Sequence, residues 1–232
     1  MTTFSHASRE RLTEHDLRRF AGETLFDRIG RAVCRAGCLP RKELYEAWEV
    51  ARRARRLFRG GRVVDLGAGH GLLSQILIIL DDTSPEAVAV DTRLPASCAR
   101  VHEALLDSWP RIRDRIRFEE QSLDAIELHA DDVVVSSHAC GALTDVVLDR
   151  AAAVRARVAV LPCCHNLLAN DAGSLSGWVD GPLAIDILRA VRLGQQGYKV
   201  WTQTIPADVT AKNRLLLAAP KAGIVGTVGT HA

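Results

Sequence analysis

Residues 63–71 read Val-Val-Asp-Leu-Gly-Ala-Gly-His-Gly, and this stretch decides the fold. Two β-branched residues followed by Asp-Leu predict a short buried strand. The glycines predict a sharp turn that lets a ligand approach the backbone, and a helix is predicted to begin near Leu72. A second strand, residues 87–91, lies about 20 residues further on and ends in Asp91. Strand, glycine turn, helix, strand and acid is the layout of a nucleoside-binding βαβ unit, in which the acid binds ribose hydroxyls.

The position of Asp65 distinguishes between classes of nucleoside ligand. A dinucleotide-binding turn reads G-x-G-x-x-G and aims a helix N-terminus at a pyrophosphate. Here the pattern is D-x-G-x-G-x-G, with the acid two residues before the first glycine. A carboxylate at that place would repel a phosphate, whereas it would attract a positively charged ligand such as a sulfonium amino acid. The alternative interpretation is a glycine turn in some other α/β protein.

The segment resembles the first motif of class I S-adenosylmethionine (SAM) methyltransferases, and Asp91 matches the ribose-binding acid of that superfamily. The resemblance implies a SAM cofactor and a Rossmann-like α/β fold with a seven-stranded, mostly parallel sheet and an antiparallel last strand. It also implies that the end of the third strand, near Gln121 and Leu123, holds the adenine. The cofactor-binding residues predicted in this way are Asp65, Gly67, Ala68, Gly69, Gly71, Asp91, Thr92, Gln121, Ser122, Leu123, Ser137 and His138.

The order of the predicted elements supports one α/β domain preceded by helices. Capping patterns at Thr13 and Thr24 predict helix starts, and Gly60-Gly61 ends the last N-terminal helix. From residue 62 strands and helices alternate, which predicts a parallel doubly wound sheet. About eight residues join the last two strands, too few for a crossover helix, so these two are predicted to be antiparallel. Strands are predicted near 62–66, 86–91, 115–119, 132–137, 157–162, 198–205 and 213–219, and helices near 71–80, 95–107, 142–153 and 181–194.

These elements divide the chain into three parts. Residues 1–60 form an N-terminal helical segment, and residues 61–219 form the predicted SAM-binding methyltransferase domain. Residues 220–232 are rich in glycine and small side chains, which predicts a flexible tail.

The composition is that of a soluble globular protein. A hydrophobic content of 47% and a charged content of 25% exclude a disordered or fibrous chain. No apolar run reaches the ~20 residues of a membrane span, and the N-terminus lacks the apolar core of a signal peptide. We therefore expect a cytoplasmic protein without membrane contact. Its six cysteines are then expected to be reduced thiols or metal ligands rather than disulfides.

Charge is unevenly distributed along the chain. Residues 1–62 contain 15 Lys and Arg against 8 Asp and Glu, whereas the remainder is acidic. Four arginines recur at helical spacing in the last N-terminal helix and are predicted to share one face. Such a face favours either a polyanionic partner such as RNA or a solvated helix surface, and both interpretations stay open. The four residues are Arg52, Arg55, Arg56 and Arg59.

Two clusters of histidine and cysteine follow the fourth and fifth predicted strands. The first contains His138 and Cys140, and the second is Cys163-Cys164-His165. Ligands of open α/β sheets bind outside the carboxyl ends of the strands. Because the two strands are expected to be neighbours, the clusters are predicted to lie close together beside the methyl donor.

Three interpretations of these clusters compete. A metal site would need four ligands in tetrahedral geometry, although adjacent cysteines normally point to opposite sides of an extended segment. A catalytic site would make a histidine the general base for the acceptor. A packing role would make the cysteines small buried hydrophobic groups. We assign no residue to a metal, and the predicted catalytic residues are His138, Cys140, Cys163 and His165.

The same clusters resemble a particular methyltransferase subfamily. His-x-Cys-Gly-x-x-Thr-Asp, Pro-Cys-Cys-His and the late pair Lys212-Asn213 are its motifs, and the similarity covers residues 60–219. The subfamily includes eukaryotic tRNA 2′-O-methyltransferases of the acceptor stem and many bacterial proteins of unassigned substrate. The eukaryotic enzymes carry N-terminal Cys/His zinc modules, whereas this chain has only Cys34 and Cys38 in that region.

Three functions are consistent with these features. The leading hypothesis is methyl transfer to RNA, with the tRNA ribose 2′-hydroxyl as acceptor; histidine, with an ordinary pKa of about 6.5, suits the base that this hydroxyl needs. The alternatives are a small-molecule O- or N-methyltransferase and a non-catalytic SAM-binding subunit. A basic face over the cleft favours RNA, and an enclosed apolar pocket favours a small molecule.

Overall fold

The glycine turn joins a central strand to a buried helix in a seven-stranded sheet. The computed structural model describes residues 4–162, 165, 167 and 172–222. The helices within this part are α1 (Leu25–Ala36), α2 (Arg41–Leu57), α3 (Leu72–Leu80), α4 (Cys98–Leu106), α5 (Ala142–Ala153) and α6 (Gly181–Gln195). The strands are β1 (Val63–Leu66), β2 (Ala87–Asp91), β3 (Ile116–Glu120), β4 (Val133–Ser136), β5 (Arg157–Val160), β6 (Tyr198–Thr204) and β7 (Arg214–Pro220).

The sheet has the strand order β3-β2-β1-β4-β5-β7-β6. Strands β1 to β5 pair in parallel, whereas β7 is antiparallel to both β5 and β6. The predicted fold class is confirmed, as are the seven strands and the four helices predicted between them. Among the described helices, none combines the length and apolar composition that a membrane span requires.

Both faces of the sheet are buried, which explains why its strands read as nearly continuous apolar runs. Successive side chains point to opposite faces. Val63 and Val133 pack toward the N-terminal helices, α3 and α4. Val64 and Val134 pack toward α5 and the end of α6. Two hydrophobic layers therefore hold the central strands and fix the edge at which these strands end.

The N-terminal helices belong to the first of these layers. Thr24 caps α1 by accepting the backbone N–H of Asp27 at 3.1 Å, and Gly37 ends this helix with φ 63°. The helix predicted to start at Thr13 is a short 3-10 helix, Glu14–Phe20. The buried Phe20 ring occupies the space where a Cβ on Gly30 would lie, and this contact turns the chain back onto α1.

Helix α2 runs the full height of the sheet. Its first turn carries Glu43, which contacts His70 in the glycine turn at the carboxyl ends of the strands. Beyond its last turn, Arg59 reaches the carbonyl of Leu80 at the opposite edge, where α3 ends. The 17 residues of α2 span about 25 Å. Residues near the end of α2 are therefore far from the glycine turn.

The prediction that four arginines form one basic face of α2 is wrong. Arg55 is buried, donates to the carbonyl of Leu77 at 3.1 Å and lies 3.2 Å from Asp81. Arg52 pairs with Glu49 at 3.0 Å, whereas Arg56 and Arg59 are exposed. Helical spacing could not reveal that Arg55 neutralises a carboxylate in the core.

The last strand reaches the first residue of the predicted C-terminal tail. Pro220 pairs with Tyr198 at the end of β7, and the N–H of Lys221 donates to the carbonyl of Gly197 at 2.9 Å. Sheet pairing therefore extends past residue 220. The predicted flexibility of residues 223–232 lies outside the described residues.

The buried pair of Arg55 and Asp81 predicts a large difference between two arginine substitutions. Arg55→Met leaves a buried carboxylate without its charge partner and should lower the free energy of unfolding by about 3–5 kcal/mol. Arg59→Met removes an exposed partner of the same carboxylate and should cost about 1 kcal/mol or less. Urea denaturation at neutral pH measures both. Equal losses for the two variants would contradict this account of Arg55.

Candidate active site

The three glycines of the turn adopt a backbone conformation that other residues rarely take. Gly67, Gly69 and Gly71 all have positive φ, with values of 71°, 54° and 68°. A Cβ on Gly71 would lie 2.7 Å from the Phe118 ring, so packing alone requires this glycine. A Cβ on Gly67 or Gly69 would meet no atom closer than 3.6 Å. At Gly67 and Gly69 the positive φ, rather than close packing, therefore favours glycine, and the predicted approach of a ligand to this backbone stays a prediction.

Asp65 is a buried carboxylate with one unsatisfied oxygen. Its side chain is 1% exposed, and one oxygen accepts the N–H of Ser74 at 3.2 Å. The other oxygen, Oδ1, has no hydrogen-bond partner in the described part of the chain. Burial, with smaller contributions from the charges of Asp91 and Glu43, raises the pKa of Asp65 to about 7. Leaving such an atom unpaired is costly unless a ligand supplies a donor.

Asp91 is fixed against the glycine turn by backbone donors. Its Oδ2 accepts the N–H of Gly69 at 2.9 Å, and its Oδ1 accepts the N–H of Arg93 at 3.3 Å. The side chain is half-buried at the carboxyl end of β2. This is the placement expected of an acid that binds the ribose hydroxyls of a nucleoside.

The other predicted cofactor residues lie at the same edge of the sheet. Gln121 donates to the Asp91 carbonyl through its backbone and to Glu119 through its side chain. Leu123 is buried in the second hydrophobic layer, and Ser137 is also buried. Their assignment to adenine binding stays a prediction. Three further members occupy this region: Ala68 is buried, Ser122 accepts the N–H of Asp124, and Thr92 lies exposed beside Asp91.

His138 stands over the glycine turn together with two residues that the sequence did not reveal. Its ring lies above Gly69, and its Nε2 is 4.0 Å from Glu43 Oε1. His70 Nδ1 is 3.3 Å from the same carboxylate, and its Nε2 is 2.9 Å from Ser97 Oγ. Glu43 is about 20 residues before the motif, so no spacing rule linked it to the site. For His70, the sequence signal was its position inside the glycine motif.

His165 belongs to a different network. Its side chain is 3% exposed, and its Nε2 lies 2.8 Å from Asp186 Oδ1 on α6. Asp186 also accepts from Arg189 and Arg214. In the described part of the chain His138 and His165 share no partner, and their predicted proximity stays a prediction. Of the two, His138 is the half-exposed one, with 37% of its side chain accessible.

The cysteines divide between the core and the site. Cys98 is buried and donates to the carbonyl of Gly69 at 3.3 Å, and burial raises its pKa to about 11. Cys140 is exposed beyond His138. Cys163 and Cys164 lie outside the described residues, and the catalytic role predicted for Cys163 stays a prediction. Within those residues, no group of three or more His, Cys, Asp and Glu is arranged to hold a metal ion.

The geometry fits SAM. The unsatisfied Asp65 oxygen suits a positively charged donor, and Asp91, which accepts the N–H of Gly69 in the glycine turn, suits ribose hydroxyls. The fold and this site together define a class I SAM-dependent methyltransferase. A family model described as a methyltransferase domain matches residues 43–171, more than half of the chain. The chain belongs to this methyltransferase family, and SAM is its cofactor.

The chain is also similar in fold to solved structures at low sequence identity. An O-methyltransferase family protein from Burkholderia thailandensis is 16% identical with a TM-score of 0.53, and the match covers 91% of this chain but only 64% of that one. The m1A22 tRNA methyltransferase of B. subtilis is 14% identical with a TM-score of 0.49, and the match covers 75% of this chain and 66% of that one.

A third structure is the magnesium protoporphyrin IX methyltransferase of Synechocystis PCC 6803, with bound S-adenosylhomocysteine. It is 16% identical, with a TM-score of 0.49 and coverage of 89% of this chain and 94% of that one. No curated protein matches the chain.

The raised pKa of Asp65 predicts an unusual pH dependence of stability. Because its folded pKa of about 7 lies above the ordinary value of 3.8, the folded state holds the extra proton between these values. Stability of the ligand-free protein should therefore fall as pH rises through this window. Asp65→Asn should remove that fall, raising the melting temperature above that of wild type at pH 8 but not at pH 4.

Melting curves of the ligand-free proteins between pH 4 and 8 test this expectation. Titration calorimetry with SAM measures whether the same substitution weakens cofactor binding. Asp65→Asn should bind SAM more weakly while being the more stable protein at pH 8. Parallel pH profiles for the two proteins would contradict the assignment of this carboxylate.

Proposed function

We propose that this methyltransferase acts on RNA and that the acceptor is a ribose 2′-hydroxyl. The observation that carries the proposal is uncompensated positive charge beside the cofactor site. Three exposed arginines lie on segments next to the site, and none forms an ion pair within the part of the chain that the structure describes. We call this set the arginine rim: Arg11, Arg93 and Arg100.

Each member of the arginine rim is placed by a contact of its own segment. Arg93 follows Asp91, whose carboxylate accepts its N–H. Arg100 is in the first turn of α4, and Cys98 of the same turn donates to Gly69. Arg11 forms a β-bridge with Pro40, just before α2 begins. Positive charge that lacks protein partners at the mouth of a site favours a polyanionic acceptor, whose phosphates would neutralise it.

His138 supplies the base that such an acceptor needs. SAM, when bound, supplies a methyl group on a positively charged sulfur. A ribose hydroxyl is a weak nucleophile at neutral pH, so a positioned base that takes its proton assists the transfer. His138 is half-exposed over the glycine turn, beside Glu43, where it can reach an acceptor that approaches from solvent. His165 is held by Asp186 and is less available for this role.

A second candidate, methyl transfer to a small molecule, is favoured by a cavity at the far side of the same sheet edge. The cavity has a volume of about 580 Å³, and α6, β6 and β7 supply most of its walls. Its lining is largely apolar, with Ile187 and Leu215 among its members, whereas Asp186 and Arg214 supply charge. This volume suits a small organic acceptor.

Binding measurements with matched variants test the RNA proposal. The double variant Arg93→Ala/Arg100→Ala should weaken the binding of bulk tRNA and lower the salt slope by about 2, because two phosphate contacts are lost. The control is Arg56→Ala/Arg113→Ala, which removes two exposed arginines that have no ion pair among the described residues and lie at the opposite edge. The control should bind RNA like wild type.

Transfer itself is followed with methyl-labelled SAM and small RNA, and nucleoside mass spectrometry should then find a 2′-O-methyl nucleoside. Equal RNA binding by the two double variants, or no label in RNA, would overturn the proposal. If the label instead enters small molecules of a cell extract, and Ala190→Trp abolishes that transfer by filling the cavity, the second candidate takes its place.

A further inference from the structure

Carboxylates at the glycine turn lack the arginine partners that several other carboxylates have in the described part of this protein. Asp81 pairs with Arg55 at 3.2 Å, and Asp132 pairs with Arg62 at 2.8 Å. Asp186 likewise pairs with Arg214. In contrast, no Lys or Arg side chain among the described residues forms an ion pair with the three acids of the site. These three are Glu43, Asp65 and Asp91.

Glu43 is the member of this group that the N-terminal segment contributes. Its side chain is 12% exposed, and its described partners are the rings of His70 and His138. The backbone around it is held in place, because the N–H of Arg41 donates to Glu10 and that of Lys42 donates to Ser8. These hydrogen bonds hold the start of α2 in place and thereby position the Glu43 carboxylate at the site.

The charges of the site are close enough to act on one another. Glu43 and Asp91 both raise the pKa of Asp65, although burial is the larger cause. Like charges that share a partly buried site are unfavourable unless a cation lies among them. The unsatisfied Oδ1 of Asp65 shows that the protein itself does not supply the missing donor in the described region.

We infer that Glu43 binds the α-ammonium group of the methionine end of SAM, together with the unsatisfied oxygen of Asp65. Asp91 holds the opposite, ribose end, so the ligand extends from β2 across the glycine turn toward α2. The inference rests on the cofactor assignment and not on the nature of the acceptor. It makes the N-terminal segment part of the cofactor site.

Two ligands that differ at the methionine end separate this role from a structural one. S-Adenosylhomocysteine carries the ammonium group, whereas 5′-methylthioadenosine keeps the adenosine and sulfur and lacks it. Glu43→Gln should weaken S-adenosylhomocysteine binding on the order of ten- to a hundredfold, the range of one charge-assisted hydrogen bond. Binding of 5′-methylthioadenosine should change by less than about twofold, as uncharged contacts remain. Titration calorimetry of the full chain measures both affinities.

Two further variants control for the loss of a carboxylate elsewhere on α2 and for the charge at position 43. Glu49→Gln is the control, since Glu49 lies on the same helix and pairs with Arg52 and Arg53 away from the site; both its affinities should equal those of wild type. Glu43→Asp keeps the charge and should bind S-adenosylhomocysteine better than Glu43→Gln.

The outcomes distinguish the inference from its premise. Loss of both ligands to the same extent in Glu43→Gln, or unchanged binding of both, overturns the role of Glu43. Equal S-adenosylhomocysteine affinities of Glu43→Asp and Glu43→Gln overturn it as well. If wild type binds neither ligand, the cofactor assignment itself fails. A failure of RNA methylation, in contrast, leaves the inference standing.

Discussion

Arginine neutralises the buried carboxylates at the amino edge of the sheet, and no arginine side chain pairs with those at the glycine turn in the described structure. At the amino edge Arg55 binds Asp81, and Arg62 joins the start of β1 to the start of β4 through Asp132. These ion pairs balance the buried negative charge at that edge. The carboxyl edge stays electrostatically open, because Asp65 is buried with an unsatisfied oxygen. This asymmetry favours a cationic ligand, and SAM carries positive charge on its reacting sulfur and on the ammonium group of its methionine end.

Helix α2 contributes a charged residue to each of the two edges of the sheet. Its last turns contribute Arg55 to the amino edge, and its first turn contributes Glu43 to the carboxyl edge. The same helix packs on α3, which begins directly after the glycine turn. The helices before the sheet are therefore part of the enzyme's core and of its cofactor site, rather than a separate module.

Much of the fold was predictable because periodicity and glycine placement are local properties. The seven strands, their antiparallel end and the glycine turn followed from buried runs, loop lengths and the D-x-G-x-G-x-G pattern. The positions of Asp65 on β1 and of Asp91 at the end of β2 followed for the same reason. Local patterns could not predict the side-chain contacts between residues that are distant in the sequence. Arg55 looks like a surface residue in the sequence but neutralises Asp81 in the core, and Glu43 meets His70 only after α2 packs on α3.

Charge on the two sides of the cofactor has opposite sign, and this arrangement links the cofactor to its proposed acceptor. Carboxylates surround the glycine turn, whereas the arginine rim lies outside it. A positively charged ligand is drawn inward, and a polyanion is held at the mouth. His138 lies beside Glu43, in the position of the proposed base.

A crystal structure of the full chain with S-adenosylhomocysteine tests this account most directly. It should place the ribose hydroxyls on Asp91 and the ammonium group between Asp65 Oδ1 and the Glu43 carboxylate, with the adenine at the end of β3. A ligand bound in the cavity between α6 and β6, or one whose ammonium group points to solvent with Asp65 Oδ1 still unpaired, would contradict it.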